Sequence, residues 1–355
     1  MESVICPLSE ECSGCSQWSI PYAEQVQNKS KSLQALLDLH DISFLGKIEL
    51  KSVAPFGFRD HFDFVIEAGK MGLYSFHKKT IVDLPDCLQL SPDLKNFYHQ
   101  FRKISWPIKK GSVRLRVSPQ KELGAWLDFA NLDIQNLFQE EKTLLKLMDL
   151  CSVEVGQRRK SLVKKDRLRL EDPILRNWTR TWQSGKEIWL YSTIASFSQA
   201  GDRSNQIIVQ EMESLVAEIS PKLILEYGAG NGNLTFAYLT QSRQVNIFET
   251  DALSIQGLKK TAHERNLENN IQLSTYLHKV DLILANPPRS GLKSFLHDLD
   301  ASNKPQHFIY MSCFPESFIV DAEILKKLNY QLRTLKIIDQ FPQTQHYELI
   351  SSWSL

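Results

Sequence analysis

The stretch Lys222–Thr240, KLILEYGAGNGNLTFAYLT, sets an apolar run of strand length before three glycines at alternate positions and an apolar pattern of helical spacing after them. Gly228, Gly230 and Gly232 stand where the backbone must turn sharply and approach a ligand closely. The same rhythm recurs downstream. QVNIFET (244–250) precedes the helical DALSIQGLKKTAHERN (251–266), VDLILANPP (280–288) ends in a turn, and FIYMSCFPESF (308–318) runs from an apolar strand through a Ser-Cys pair into a helix start. Strands alternating with helices from about residue 186 predict an α/β, doubly wound parallel sheet, with ligands at the carboxyl ends of its strands. YQLRTLKIIDQF (330–341) and QHYELISSWSL (345–355) read as two further strands joined by the short PQT turn. They form a closing antiparallel hairpin.

Upstream the pattern differs. Residues 1–30 form a short arm with three cysteines, and KSKSLQALLDL (29–39) has the apolar spacing of an amphipathic helix. Residues 31–185 mix strand-like runs (HFDFVIEA, GSVRLRVSP, GAWLDFA) with the helical NLFQEEKTLLKLMDL, predicting an α+β region. The expected division is therefore a Cys-rich arm at 1–30, an α+β domain at 31–185 and a doubly wound domain at 186–355.

Hydrophobic residues make up 42% of the 355 and charged residues 23%, which excludes a disordered chain. No apolar run approaches the ~18 residues of a membrane span, and MESVICPLSEECSGC lacks the basic-then-apolar layout of a signal peptide. A cytoplasmic monomer is expected, whose six cysteines serve roles other than disulfides. The net charge of +1 is uneven: residues 101–180 carry 18 Lys and Arg against 10 Asp and Glu, a local +8. Such a block can face a polyanion, although its densest part, QRRKSLVKKDRLR (157–169), suits a solvated helix or loop equally.

The glycine turn follows Glu226 and is closed by Asn233, where the dinucleotide-binding pattern would place Gly or Ala. This form suits S-adenosylmethionine, which brings no pyrophosphate. Glu249, 21 residues after Gly228 and at the end of the next strand, can bond both ribose hydroxyls. ANPPRSGL (285–292) ends the fourth strand. An aromatic after Asn-Pro-Pro would suit methylation of an exocyclic amine, but Arg289 stands there, and its guanidinium can anchor a phosphate or a base edge. Cys313 lies just past the next strand. A thiolate suits methylation at carbon 5 of a pyrimidine, because addition at carbon 6 makes carbon 5 enolate-like, and a base such as Glu348 must then remove the carbon 5 proton. Taken singly, a buried structural cysteine and a surface strand acid account for the two residues as well.

The combination NPPRSGL (286–292), YMSCFPE (310–316) and DQFPQTQHYE (339–348) closely resembles the RNA 5-methyluridine methyltransferases, the bacterial ribosomal and transfer RNA uracil-5-methyltransferases. The resemblance runs over nearly the whole chain. It implies that Cys313 is the nucleophile and Glu348 the base, and that Gln199 of SFSQAG, Glu249 and Asn286 line the donor pocket together with Gly228, Gly230 and Asn233. Arg59 and Arg289 are the implied substrate contacts. By count, the four cysteines Cys6, Cys12, Cys15 and Cys87 suit zinc or a cluster equally; the resemblance decides for a [4Fe-4S] cluster held through C-x5-C-x2-C plus Cys87. The substrate implied is structured RNA, 23S rRNA ahead of tRNA, bound by the domain at 31–185 and methylated by the catalytic domain at 186–355. Three departures from the family pattern stand out: Asp60, His61 and Asp63 where positive charge would hold RNA, Gly201 for a donor-site Asn, and Phe314 for the Asn of Ser-Cys-Asn-Pro. They leave open a degenerate RNA-binding homologue that no longer turns over, beside an amine-directed nucleic-acid methyltransferase.

Overall fold

The computed structural model describes residues 5–274, 279–292 and 294–355. They form two units. The first comprises residues up to Pro21 with Ala54–Arg180 and Tyr191–Asp202; the second comprises Tyr22–Val53, Thr181–Leu190 and Arg203–Leu355.

In the second unit an eight-stranded sheet runs in the order Glu49–Ser52, Gln331–Asp339, Glu348–Ser354, His307–Ser312, Leu282–Ala285, Leu223–Tyr227, Gln244–Phe248, Ile271–Leu273. All pairs are parallel except those made by the closing strand Glu348–Ser354, which is antiparallel to both of its neighbours. The doubly wound sheet and its closing hairpin are thus as expected. The central strands are continuous apolar runs because both of their faces are covered. Ile224, Leu282, Leu284, Ile309 and Met311 pack into one core with Ile208, Met212 and Leu258 of the helices Asp202–Ile219 and Ala252–Glu264. The alternate residues Leu225, Ile283, Ala285, Phe308 and Tyr310 pack into the opposite core with Leu33 and Leu37 of Tyr22–Leu39 and Phe318 and Leu325 of Pro315–Lys327. Each such fully buried Leu or Ile contributes roughly 1.5–3 kcal/mol.

Two local expectations change. The helix after the glycine turn is a single turn, Thr235–Tyr238, because Leu239 leaves helical geometry (φ −71°, ψ 126°) ahead of the Gln244 strand. The expected boundaries at 30 and 185 also give way. Glu49–Ser52 is an edge strand of the catalytic sheet, Leu50 opposite Ile337, and the helix before it supplies that sheet's core. Amphipathic spacing announces a helix but carries no address for the core that receives it.

The first unit holds a second eight-stranded sheet, ordered Ile81–Asp83, Lys70–Tyr74, His61–Glu67, Lys110–Val117, Leu123–Phe129, Ser152–Val155, Lys160–Lys164, Leu168–Glu171. Only the pair Leu123–Phe129 with Ser152–Val155 is parallel. The helical pattern between those two strands splits into Asn131–Gln139 and Glu141–Leu150, broken where Glu140 turns (φ −93°, ψ 52°). The basic stretch 157–169 is neither helix nor open loop but the outer hairpin of this sheet. Three of its cations pair with acids on it, Lys160 with Asp172 (2.5 Å), Lys165 with Glu171 (2.8 Å) and Arg169 with Glu171 (2.7 Å). Cys151 is buried in this unit's core.

Candidate active site

The parallel sheet brings the carboxyl ends of its strands to one edge, and the residues singled out in the second unit follow those ends directly. Gly228, Glu249, Asn286 and Cys313 come one or a few residues after their strands, and Glu348 opens the antiparallel strand at the same edge. At Gly228 (φ +76°) a Cβ would lie 2.4 Å from the Asn286 carbonyl oxygen, so the glycine allows the two turns to meet. Gly232 (φ +93°) likewise leaves space for the Phe236 ring, which a Cβ would meet at 2.5 Å.

Glu249 joins the glycine turn to its own strand end. One carboxylate oxygen accepts the Gly230 N–H (2.7 Å), the other those of Thr250 (2.7 Å) and Asp251 (2.8 Å). Asn233 exchanges amide hydrogen bonds with Asn205 (2.7 and 3.0 Å), while its carbonyl accepts the Thr181 hydroxyl (2.7 Å). Its side chain therefore braces the loop. Glu226, fully buried, accepts from Thr235 (2.7 Å) and Tyr238 (2.5 Å), and its other oxygen has no partner; burial pushes its carboxyl up to about 7.

Cys313 and Glu348 come together. The Cys313 thiol is half-buried, and burial together with the nearby Glu348 charge raises it, while the positive charge of the otherwise exposed Arg289 lowers it. Glu348 is only 3% exposed and accepts a 2.6 Å hydrogen bond from Gln340; burial pushes its carboxyl up to about 8. Glu348 is therefore no surface acid, and Cys313 is only half-buried. Gln340 was not anticipated, since nothing in a single sequence marks a glutamine eight residues upstream as the donor to a buried carboxylate. Phe314, the residue after the thiol, is the N-cap of the helix Pro315–Lys327 and offers no side-chain cap; Ser312 Oγ accepts its N–H instead (3.2 Å).

Gln199 and Arg59 belong to the first unit. Gln199 is buried in the loop after the strand Lys186–Ser192, and two arginines hold that loop: Arg114 donates to the carbonyls of Ala195 (2.8 Å) and Ser196 (3.2 Å), Arg116 to the carbonyl of Ser196 (2.7 Å) and to Ser198 Oγ (3.1 Å). The three departures near residue 60 serve the same loop. Asp63 makes a two-pronged pair with Arg114 (2.7 and 2.8 Å), Asp60 accepts the Asp202 N–H (2.8 Å) and His61 Nδ1 lies 3.3 Å from Ser198 Oγ. At Gly201 a Cβ would sit 2.1 Å from the Phe58 carbonyl oxygen, so no larger residue fits there without a backbone shift. Arg59 lies over the Phe62 ring at 5.5 Å and within electrostatic reach of Cys15 and Cys87. Those thiols are themselves close to one another: Cys15 feels Cys87 and Cys12, Cys87 feels Cys12 and Cys6, and Cys12 Sγ accepts the Gly14 N–H (3.4 Å). Burial pushes Cys15 up to about 12 and Cys87 up to about 11. Among the described residues no three His, Cys, Asp or Glu side chains converge closely enough to hold a single metal ion.

A doubly wound sheet with a closing hairpin, a glycine turn and a strand-end acid at its carboxyl edge defines an S-adenosylmethionine-dependent methyltransferase of class I. Residues 254–351 match the family model of the tRNA (uracil-5-)-methyltransferases, and residues 187–298 that of the methyltransferase small domain. An uncharacterized RNA methyltransferase of Bdellovibrio bacteriovorus is 37% identical over 368 residues, covering 99% of this chain and 95% of its own. A 23S rRNA (uracil(1939)-C(5))-methyltransferase of Pasteurella multocida is 27% identical over 386 residues, covering 99% and 82%. The crystal structure of the Pyrococcus abyssi tRNA (uracil-54, C5)-methyltransferase in complex with S-adenosyl-L-homocysteine has the same fold, with a TM-score of 0.68 at 22% identity over 98% of this chain and 86% of that one. The chain belongs to the RNA uracil-5-methyltransferase family, enzymes that use S-adenosylmethionine. That membership removes the amine-directed reading.

Proposed function

We propose that this enzyme methylates carbon 5 of one uridine in structured RNA, 23S rRNA ahead of tRNA, through a covalent adduct between Cys313 and carbon 6. The observation that carries the proposal is the trio at the sheet edge: a half-buried thiol, one residue past a strand end, within electrostatic reach of Arg289 and of a buried, weakly acidic Glu348 at a strand end of the same sheet. Arg289 favours the thiolate, which adds to carbon 6 and turns carbon 5 into the nucleophile. Carbon 5 takes the methyl group from the sulfonium, releasing S-adenosylhomocysteine. Glu348 then removes the carbon 5 proton, the carbon 5–carbon 6 double bond re-forms and the sulfur–carbon bond breaks to return the thiolate. In support of rRNA stands the near-full-length similarity to a relative named for a 23S rRNA uridine. Nucleoside mass spectrometry of rRNA and tRNA from cells lacking the gene tests it: 5-methyluridine is expected to disappear from one 23S rRNA fragment, and its loss from tRNA alone overturns the rRNA assignment. Among the described residues no helix is long and apolar enough to cross a membrane.

Donor binding is assigned to the turn Gly228–Asn233, to Glu249 and to Asn286. Glu249→Ala is expected to weaken S-adenosylmethionine binding by about 1.5–3 kcal/mol, the scale of lost charge-assisted hydrogen bonds. Unchanged affinity by calorimetry refutes that role.

Cys6, Cys12, Cys15 and Cys87 are proposed to hold a [4Fe-4S] cluster. The reading is supported by thiols that each lie within electrostatic reach of at least one other, by an N–H donor to one sulfur and by the guanidinium of Arg59 near two of them. When bound it would cross-link the arm to residue 87, and no atom of it takes part in methyl transfer. Anaerobically purified protein is expected to carry about four irons per chain and to lose its colour in Cys87→Ser; zinc in place of iron by elemental analysis rejects the cluster.

A further inference from the structure

The helix Tyr22–Leu39 presents three polar residues, at positions i, i+3 and i+7, to one loop of the catalytic unit. Lys29 is 3% exposed, yet its ammonium is placed 2.6 Å from Asp339 Oδ1 and donates to the Phe341 carbonyl at 3.1 Å. The Tyr22 hydroxyl donates to the other Asp339 oxygen at 2.8 Å. Gln25, also buried, donates to Gln343 Oε1 (2.8 Å) and accepts the Gln343 N–H (3.0 Å). These contacts fall on Asp339, Phe341 and Gln343. They alternate with and bracket Gln340, the residue that hydrogen-bonds Glu348. Gln343 is held at φ +64°, a conformation that side chains other than glycine adopt only where the surroundings impose it.

A buried Lys–Asp pair is a poor device for stability, since apolar residues of similar volume are often as good or better. What it does supply is a fixed geometry. Asp339 is the last residue of one strand and Glu348 the first of the next, so the eight residues between them carry their path entirely in this loop.

We propose that Tyr22, Gln25 and Lys29 are positioning residues for the carbon 5 deprotonation step: the helix clamps the loop 339–343 and thereby holds Gln340 and Glu348 in register with the adduct. The proposal rests on the reading of Glu348 as the base. The clamp touches no reacting atom, so its loss should slow elimination more than addition, methyl transfer or substrate binding.

The test uses full-length holoenzyme, natural RNA and labelled S-adenosylmethionine, followed on denaturing gels. Lys29→Met is expected to raise the share of label held as covalent enzyme–RNA about tenfold or more, the order of penalty for a misplaced catalytic group. kcat and KM for RNA should fall together while kcat/KM stays unchanged, because the slowed step follows methyl transfer, and Lys29→Arg should restore most of the turnover. Tyr22→Phe and Gln25→Ala, which strand no buried charge, should show the same partition more weakly, and they decide the matter if Lys29→Met does not fold. Folded variants whose adduct and product fall together, or whose partition matches wild type, overturn the clamp. Glu348→Gln run in parallel separates the two failures: if it traps adduct and the clamp variants do not, only this inference falls, and if it traps none, the reading of the base falls with it.

Discussion

Cys313→Ala is expected to lower methylation by about four to six orders of magnitude, the scale of losing a covalent nucleophile, while leaving the fold and donor affinity unchanged. The thiol is half-buried and not part of a packed core, so its removal strands no buried polar group. RNA carrying 5-fluorouridine at the target should become trapped on the wild-type enzyme in the presence of donor. Fluorine cannot leave carbon 5 as a proton does, so elimination is blocked after methyl transfer. The alanine variant should form no adduct. Methylation that survives the substitution excludes the covalent route.

Glu348→Gln should have the second largest effect, with a different signature, because the carboxylate acts after the methyl group has moved. The amide keeps size and a hydrogen-bond acceptor for Gln340 but cannot take the proton. Turnover is expected to fall by about 10²–10⁴-fold, the usual contribution of a general base, while a labelled covalent complex builds up with natural uridine. The pH dependence follows from burial. With its carboxyl pushed up to about 8, Glu348 is ionised in only about one molecule in ten at pH 7, so wild-type kcat should climb as pH rises through about 8. In the glutamine variant that limb is lost from elimination. Adduct formation keeps its own rise with pH, because the Cys313 thiol is also raised and must ionise to attack. Wild-type turnover without a labelled band on a denaturing gel rules out this role for Glu348.

The catalytic half was legible because its signals are local. Apolar runs of strand length, glycines at alternate positions and a Ser-Cys-x-Pro turn each report their own backbone, and a parallel sheet then delivers every strand end to one edge. The family pattern assigned Cys313 and Glu348 before any coordinates. Their burial, which sets the acidity of each, required the fold. Departures that looked like lost function had local causes invisible in one dimension: Asp63 answers Arg114, 51 residues away, and Gly201 makes room for a carbonyl at Phe58.

Residue types and their periods along the chain thus determined the methyltransferase sheet, the glycine turn with its strand-end acid, and the chemistry available at 313 and 348. Tertiary structure alone decided that the helix at 22–39 and the strand at 49–52 join the C-terminal unit, that Arg114 and Arg116 hold the loop of Gln199, and that Lys29 reaches Asp339 across 310 positions of sequence. The reason is physical. Periodicity fixes which face of an element is apolar, but the partner of a buried charge is set by which surfaces meet when the chain closes, and that meeting leaves no period in the sequence.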